Sequence, residues 1–282
     1  MTNCPICGGS PAPSLPGLMK CSSCGLGYKT ERYFGTPEYA PGLDEDIYGG
    51  AKVKLFAEAL DFLERAQPGR GRLLDIGCAG GELLKAAAAR GWKAEGIEVD
   101  AGLAIKALDL GFEVNPRPVE EALLDSGVYR AVTVFDTFSQ MDKPAAAAAE
   151  ICRLLVPGGV IYIREFNAGF HLCMAALEKR GFFQPLGVSP GVLHNFNFSA
   201  KTLRVMLERA GFGDVRLRNS RPTSGDPYRT GGRLGGFLTA GLKVLYYWLA
   251  QALLFLTFGR VFAGSALIVT ARKPWPSDGQ RP

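Results

Sequence analysis

Four cysteines near the start of the chain have the spacing of a metal site. They form two C-x-x-C pairs, Cys4 with Cys7 and Cys21 with Cys24, and a glycine follows each pair. Four thiolates are a common ligand set of tetrahedral Zn²⁺, and the glycines let backbone amides turn towards the sulfurs. A redox-active pair is the alternative, but it needs only one C-x-x-C, and neither pair lies in a βαβ pattern. The spacing therefore predicts a closed, structural zinc site.

A second group of residues predicts a ligand site at a glycine-rich turn. The run RLLDIG at 72–77 is apolar enough for a buried strand, and Gly80 and Gly81 precede a helical pattern. Glycines at such a turn let the backbone approach a ligand at the carboxyl edge of a parallel sheet. A dinucleotide fingerprint would need glycine at positions 79 and 82, where the chain has Ala79 and Glu82. Because Glu82 would repel a pyrophosphate, a ligand without phosphates is favoured over NAD.

Glu98 is the second residue of this ligand site. It ends the next apolar run, AEGIEVD, eighteen residues beyond Gly80. A carboxylate at the end of the second strand can accept hydrogen bonds from both hydroxyls of a ribose. The two motifs together predict that the ligand is a nucleoside.

The rest of the chain supplies the elements that must position these residues. The chain has 282 residues, of which 47% are hydrophobic and 21% are charged, so a disordered or collagen-like protein is excluded. Short apolar runs alternate with helical patterns over 72 to about 221, which predicts an α/β, doubly wound, mainly parallel sheet. We expect a connector and leading helix at 31–70, a core domain at 71–273 and a disordered tail at 274–282.

LLDIGCAGG and EGIEVD resemble the glycine-rich and acidic motifs of class I S-adenosylmethionine-dependent methyltransferases. Three further stretches extend the resemblance over most of 50–221: VFDTFSQM, LLVPGGVIYI and LHNFNFSAKTLRVMLERAGF. The resemblance implies a Rossmann-like, seven-stranded sheet and S-adenosylmethionine as cofactor. It also implies which residues surround the cofactor: Asp75, Gly77, Cys78 and Gly80 at its methionine end, Glu98 at its ribose, Val99 against its adenine, and Asp136.

The chain departs from this family at two places. Members usually carry a carboxylate after the third strand to accept from the adenine amine, but Arg117 and Pro118 stand about there. Many small-molecule relatives carry Glu-His after the fourth strand, where this chain has Ser139 and Gln140. The acid–base chemistry of those relatives therefore does not transfer to this chain.

Candidates for a catalytic base lie elsewhere at the expected mouth of the site. The sulfonium is already an activated methyl donor, so alignment does most of the work. An oxygen nucleophile of high pKa would still need a base. The titratable residues at the mouth are Asp136, Glu165, His171 and His194. His194 is preferred because the ordinary pKa of histidine suits proton transfer near neutral pH.

Residues 1–30 resemble a zinc ribbon. The stretch has little hydrophobic pattern, so we expect it to need the metal in order to fold. A ribbon, a tyrosine-rich connector and a methyltransferase core in this order resemble a bacterial family of ribbon-bearing methyltransferases, many associated with sugar or surface-polysaccharide biosynthesis. The resemblance implies a small-molecule, glycan or lipid-linked acceptor.

Two other functions are alternatives. In an RNA methyltransferase the ribbon would hold RNA, but Lys20 and Lys29 are the only basic residues of 1–30, and a net charge of +5 favours no nucleic acid. A non-catalytic protein that binds the cofactor or acts as a scaffold is suggested by Pro118 and Gln140. The odd count of seven cysteines and the lack of a signal-peptide pattern predict a cytoplasmic protein.

An unusually apolar stretch at 234–258 lies within a helical insertion expected at about 232–262. One narrow polar stripe follows helical spacing, at Thr239, Lys243, Tyr247 and Gln251. The uninterrupted apolar run from Val244 to Gly259 would rise about 24 Å, less than the hydrocarbon core of about 30 Å. Basic residues flank it, as anionic headgroups prefer: Arg229, Arg233, Lys243 and Arg260. The stretch predicts either peripheral contact with the inner face of the cytoplasmic membrane or a helix that forms a homodimer or covers the substrate.

Overall fold

The computed structural model describes residues 3–32, 50–182, 184, 192–223 and 233–276, with the backbone alone at 233–240 and 242. The tyrosine-rich part of the predicted connector and the end of the predicted tail, 277–282, lie outside these residues. The described residues of that tail, 274–276, are exposed, and the Trp275 ring lies close to Gly158, where a Cβ atom would approach it to 2.4 Å.

The described chain contains eleven strands and seven α-helices. The strands are β1 Pro11–Leu15, β2 Leu18–Cys21, β3 Gly27–Lys29, β4 Arg72–Ile76, β5 Lys93–Ile97, β6 Glu113–Asn115, β7 Tyr129–Phe135, β8 Leu155–Phe166, β9 Phe196–Asn197, β10 Gly213–Asn219 and β11 Ala266–Arg272. The helices are α1 Val53–Ala66, α2 Glu82–Ala88, α3 Ala101–Asp109, α4 Pro144–Leu154, α5 Ala168–Lys179, α6 Ala200–Arg209 and α7 Arg233–Leu256.

Seven strands form the central sheet, in the order β6-β5-β4-β7-β8-β11-β10. Pairing is parallel from β6 to β8, whereas β11 runs antiparallel to both of its neighbours. This confirms the predicted Rossmann-like, mainly parallel, seven-stranded fold. The carboxyl ends of β4, β5, β7 and β8 meet at one edge, where ligands bind in open α/β sheets.

Helix α1 covers the centre of this sheet through one apolar stripe. Its buried residues recur at helical spacing: Leu55, Phe56, Ala59, Leu60 and Leu63. The Phe56 ring meets the Phe135 ring of β7 edge-on, with centroids 5.1 Å apart. Burying a leucine or phenylalanine side chain stabilises the fold by about 1.5–3 kcal/mol. The stripe therefore holds α1 against the sheet, and the start of α1 lies over the sheet edge.

The N-terminal sheet includes a strand from the larger domain. Strands β1, β2 and β3 are antiparallel, and β9, Phe196–Asn197 of the larger domain, is the fourth strand of the same sheet. The interiors also merge, because Ile6, Leu26 and Tyr28 share one buried cluster with Phe196 and Phe198. So short a segment cannot bury a core of its own, and it uses apolar residues of the larger domain.

Helix α7 lies between β10 and β11 in the chain and is held by few contacts. The buried Asn219 side chain donates to the Ala250 carbonyl at 3.1 Å and accepts from the Gly264 amide at 3.0 Å. The Tyr246 ring lies 5.3 Å from the Phe170 ring of α5. Among the described helices, none is both long and apolar enough to cross a bilayer.

Candidate cofactor and acceptor site

The turn after β4 is tied directly to the end of β5. Gly77, at φ +75°, and Cys78 both donate their amides to the Ile97 carbonyl, at 2.8 and 3.1 Å. A Cβ on Gly77 would lie 2.4 Å from Thr137 Oγ1, so the turn after β7 presses on this glycine. Only glycine fits there.

Glu98 connects two of the turns at the sheet edge. Its Oε2 accepts from the Ala79 amide and its Oε1 from the Asp100 amide, both at 2.9 Å. Burial raises the pKa of Glu98 although these amides favour the charged form. Each carboxylate oxygen has a second lone pair, so Glu98 can still accept from two hydroxyls. Val99 beside it is 62% exposed and offers an apolar surface to a planar ring.

Asp75 and Cys78 are buried beneath the glycine turn. Asp75 Oδ1 accepts from Thr133 Oγ1 at 2.6 Å, and burial raises the pKa of Asp75 to about 7. A cationic ligand group beside this carboxylate would favour its charged form. Burial raises the pKa of the Cys78 thiol far above its ordinary value, which keeps the thiol neutral. Cys78 is therefore a packing residue of the turn and not a nucleophile.

Asp136 lies at the end of β7 between two buried cations. Both of its carboxylate oxygens accept from Arg164 Nη1 at 2.5 Å, and Lys52 Nζ lies 2.9 Å from Oδ2. The side chains of Lys52, Asp136 and Arg164 are 10%, 8% and 5% exposed. Burial alone would raise the pKa of Asp136, but Arg164 and Lys52 together lower it. Asp136 is thus a stable anion that neutralises cations, which disfavours proton abstraction by it.

Lys52 and Arg164 were not predicted as site residues from the sequence. A signal for Arg164 exists, because a single arginine interrupts the apolar run GVIYIREF of β8. Nothing comparable marks Lys52, which precedes α1 and reaches the sheet edge only because α1 packs over β7.

Glu165 faces the other side of β8 and is fully buried. Its oxygens accept from the Ser139 amide at 3.1 Å and the Phe166 amide at 2.9 Å. Burial and the nearby charge of Asp136 raise the pKa of Glu165 to about 8. Glu165 is therefore mostly protonated at neutral pH, which suits a hydrogen-bond donor or an acid better than a base.

His194 lies against the same mouth. Its Nδ1 is 2.6 Å from Gln140 Nε2, and its ring centroid is 4.7 Å from that of Phe166. Burial lowers the pKa of His194 to about 4, so the imidazole is neutral at physiological pH. Within the described part of the chain, His194 Nε2 is buried and has no hydrogen-bond partner. An unpaired buried polar atom at a ligand site is an expected contact for that ligand.

His171 differs from His194 because both of its ring nitrogens are engaged. Nδ1 accepts from the Val192 amide at 3.2 Å, and Nε2 lies 3.0 Å from the Ser265 carbonyl oxygen. These contacts favour a structural role for His171.

The four N-terminal cysteines converge on one point. Their sulfurs all lie within 4.8 Å of one another, with Cys4 and Cys24 at 3.6 Å and Cys7 and Cys21 at 3.5 Å. A tetrahedral Zn²⁺ with bonds of about 2.3 Å would hold neighbouring sulfurs about 3.8 Å apart. Burial opposes ionisation of Cys21, but the amides of Cys24 and Ser23 lower its pKa to about 6. The sulfur geometry fits a thiolate-bound cation and the amides favour the thiolate at Cys21, whereas burial raises the pKa of the Cys4 and Cys24 thiols.

A central sheet of this order, with a glycine turn and a buried carboxylate at its edge, is the fold of S-adenosylmethionine-dependent methyltransferases. Residues 51–217 match the family model of the methyltransferase domain, and the chain belongs to that family.

Known proteins of similar sequence or structure include other methyltransferases. A ubiquinone biosynthesis O-methyltransferase of Xanthomonas axonopodis pv. citri is 28% identical over 182 residues, which are 60% of this chain and 73% of that protein. One of Saccharophagus degradans is 34% identical over 111 residues, 37% of this chain and 47% of that protein, so the chain matches about half of this relative. A SAM-dependent methyltransferase structure from Archaeoglobus fulgidus has a TM-score of 0.55 at 18% identity, covering 84% of this chain and 100% of that one, and shares the fold.

Proposed function

We propose that this methyltransferase acts on a small-molecule, glycan or lipid-linked acceptor. The observation that carries the proposal is the position of the buried His194 Nε2, which has no hydrogen-bond partner among the described residues and lies near the cluster of Lys52, Asp136 and Arg164. A ligand at this sheet edge would therefore meet an unpaired polar atom, as small-molecule ligands do in their sites.

The cofactor residues divide along the sheet edge. Glu98 holds the ribose and Val99 lies against adenine, while four residues surround the methionine end: Asp75, Gly77, Cys78 and Gly80. Lys52 is added at the methionine end, because its charge stabilises the ionised form of Asp75 as well as that of Asp136. Bound S-adenosylmethionine supplies an activated methyl group. The protein's task is to align the acceptor with it.

His194 Nε2 is the proposed contact to the acceptor. It can accept a proton when Nδ1 carries hydrogen and the Gln140 amide presents its oxygen, and it donates a hydrogen bond when that amide is reversed. A pKa of about 4 makes this imidazole a weak base. An amine that arrives neutral, or a hydroxyl more acidic than an alcohol, is therefore the favoured acceptor.

A two-step experiment tests this function. Calorimetry with S-adenosylhomocysteine is expected to show saturable binding at one site, and NAD in the same buffer is expected to show none. Incubation of the protein and a cell extract with methyl-labelled S-adenosylmethionine should then put label into the small-molecule or lipid fraction. Label in RNA would favour the RNA alternative, and cofactor binding without any labelled product would favour the non-catalytic one.

We further propose that the exposed face of α7 rests on the inner, anionic face of the cytoplasmic membrane. Five apolar side chains on one side of α7, and Phe258 just after it, are 58% to 91% exposed: Leu245, Trp248, Leu249, Phe255 and Leu256. The 38 residues from 227 to 264 contain no aspartate or glutamate and four lysines and arginines. An apolar face in a cationic segment suits an anionic bilayer surface. Two copies of this segment face to face would offer those cations no carboxylate.

Replacing Trp248 and Phe255 by serine is expected to reduce binding to phosphatidylglycerol-containing vesicles about tenfold or more, because each buried large apolar side chain contributes about 1.5–3 kcal/mol. Vesicle sedimentation measures this. The matched control is Ile105→Ser with Leu123→Ser, two exposed apolar residues outside α7. If the wild-type protein does not bind these vesicles, the proposal is wrong. If the wild-type protein is a dimer and the α7 substitutions dissociate it, this face of α7 contacts a second copy of the chain.

A further inference from the structure

The segment that carries His194 is bonded to the N-terminal ribbon as a strand. In the pairing of β3 with β9, Gly27 lies opposite Asn197 and Tyr28 opposite Phe196. The Lys29 amide extends this pairing by donating to the Asn195 carbonyl at 2.9 Å. His194 therefore lies two residues before β9, a strand whose only neighbour in the described sheet is β3 of the ribbon.

Asn197 joins the ribbon to His194 through a single side chain. Its Oδ1 accepts from the His194 amide at 3.1 Å, and its Nδ2 donates to the His194 carbonyl at 3.0 Å. The same Nδ2 lies 3.4 Å from the Gly27 carbonyl of β3. The side chain is 5% exposed, so these bonds form away from water and fix the backbone of His194.

Two further bonds attach the metal-binding turns themselves to α6, the helix that follows β9. Thr202 Oγ1 donates to the Cys24 carbonyl at 2.9 Å, and Thr202 is fully buried. Arg209 Nη1 donates to the Ile6 carbonyl at 3.2 Å, so each C-x-x-C pair has one bond to α6. A change in the geometry of the cysteine cluster would therefore be transmitted to the segment 194–197 by two routes, through β3 and through α6.

We propose that the ribbon is part of the acceptor site: the metal-bound turns hold β3, β3 holds β9, and Asn197 is the positioning residue that places His194 Nε2 at the mouth. The inference rests on the proposed function only in taking His194 as the contact to the acceptor. Asn197 touches neither cofactor nor acceptor.

The position of His194 can be measured directly because the chain has two histidines, His171 and His194. In ¹³C-histidine-labelled protein, NMR titration should give His194 a pKa near 4, far below the ordinary 6.5, because the ring is buried. Asn197→Ala is expected to move this pKa towards 6.5 by exposing the ring, while His171 moves less. Affinity for S-adenosylhomocysteine should stay within about twofold of wild type, since Glu98 lies on other turns of the sheet edge.

The matched control is Asn115→Ala. Asn115 also bridges a loop with both ends of its side chain, to the Ala122 carbonyl and the Arg117 amide at 3.0 Å each, but on the far edge of the sheet. It should leave both histidine titrations unchanged. An Asn197→Ala protein whose His194 still titrates as in wild type would overturn the positioning role.

Metal removal tests the other end of this connection. Elemental analysis is expected to give one zinc per chain, and a chelator or Cys24→Ser should remove it and raise the His194 pKa as Asn197→Ala does. A zinc-free, folded protein with an unchanged His194 titration would overturn the proposal. If Cys24→Ser does not fold, Asn197→Ala decides. Failure to bind S-adenosylhomocysteine in the wild type would instead contradict the proposed function, so the two failures are distinguishable.

Discussion

Replacing Glu98 by alanine is expected to weaken binding of S-adenosylhomocysteine about 100-fold. A hydrogen bond to a charged group contributes about 1.5–3 kcal/mol, and loss of two ribose contacts at the lower value is about 3 kcal/mol, or roughly two factors of ten. The substitution also leaves the Ala79 and Asp100 amides without their acceptor, which loosens two turns of the cradle. Calorimetric titration of wild type and variant measures the difference.

Two variants sharpen the experiment on Glu98. Glu98→Gln keeps the shape and one acceptor oxygen, so its affinity should lie between those of wild type and Glu98→Ala. Glu113→Ala removes an exposed carboxylate from the neighbouring strand β6 and should bind like wild type. If Glu98→Ala also binds like wild type, Glu98 does not hold the ribose and the acidic motif has been misassigned.

The residues at the sheet edge were predictable because each of them lies next to its own strand in the chain. Gly77 directly follows the apolar strand β4 and Glu98 directly follows β5, so local pattern places both at the carboxyl edge. The pairing of Asp136 with Arg164 is different. It depends on the register that sets Phe135 of β7 opposite Arg164 of β8, and no local pattern specifies that register.

The link between ribbon and core was beyond sequence reasoning for a similar reason. Strand β9 has two residues, Phe196 and Asn197, too few to show the alternation that identifies a strand. The stretch LLVPGG has the proline and glycines of a turn, and β8, which begins at Leu155, contains this irregularity: Gly158 has φ +75° and the pairing with β7 resumes at Val160. The irregular pairing of β7 with β8 between Tyr129 and Ala131 accommodates these residues. At both places the strand is defined by its pairing with a segment distant in the chain, which a local pattern does not encode.

Replacing Asp136 by asparagine is expected to destabilise the fold by about 3–5 kcal/mol, because removing one partner of a buried ion pair leaves the other charge uncompensated. Here two buried cations, Lys52 and Arg164, lose their shared anion. For a domain of this size the melting temperature should fall by roughly 10 °C, which calorimetry or circular dichroism measures. The control is Asp61→Asn, whose ion pair with Arg90 is partly exposed and should contribute less than about 1 kcal/mol.

The pH dependence of this effect has a definite sign. The pKa of Asp136 is lower in the folded chain than its ordinary 3.8, so the stabilisation is complete above that value and is lost as the pH falls through the folded pKa. The stability gap between wild type and Asp136→Asn should therefore be constant from neutral pH to about pH 4.5 and shrink below it. If Asp136 were a catalytic base, Asp136→Asn would lose activity, and the difference in stability between wild type and variant would be absent. A variant as stable as Asp61→Asn that no longer transfers methyl groups would make Asp136 the base and remove that role from His194.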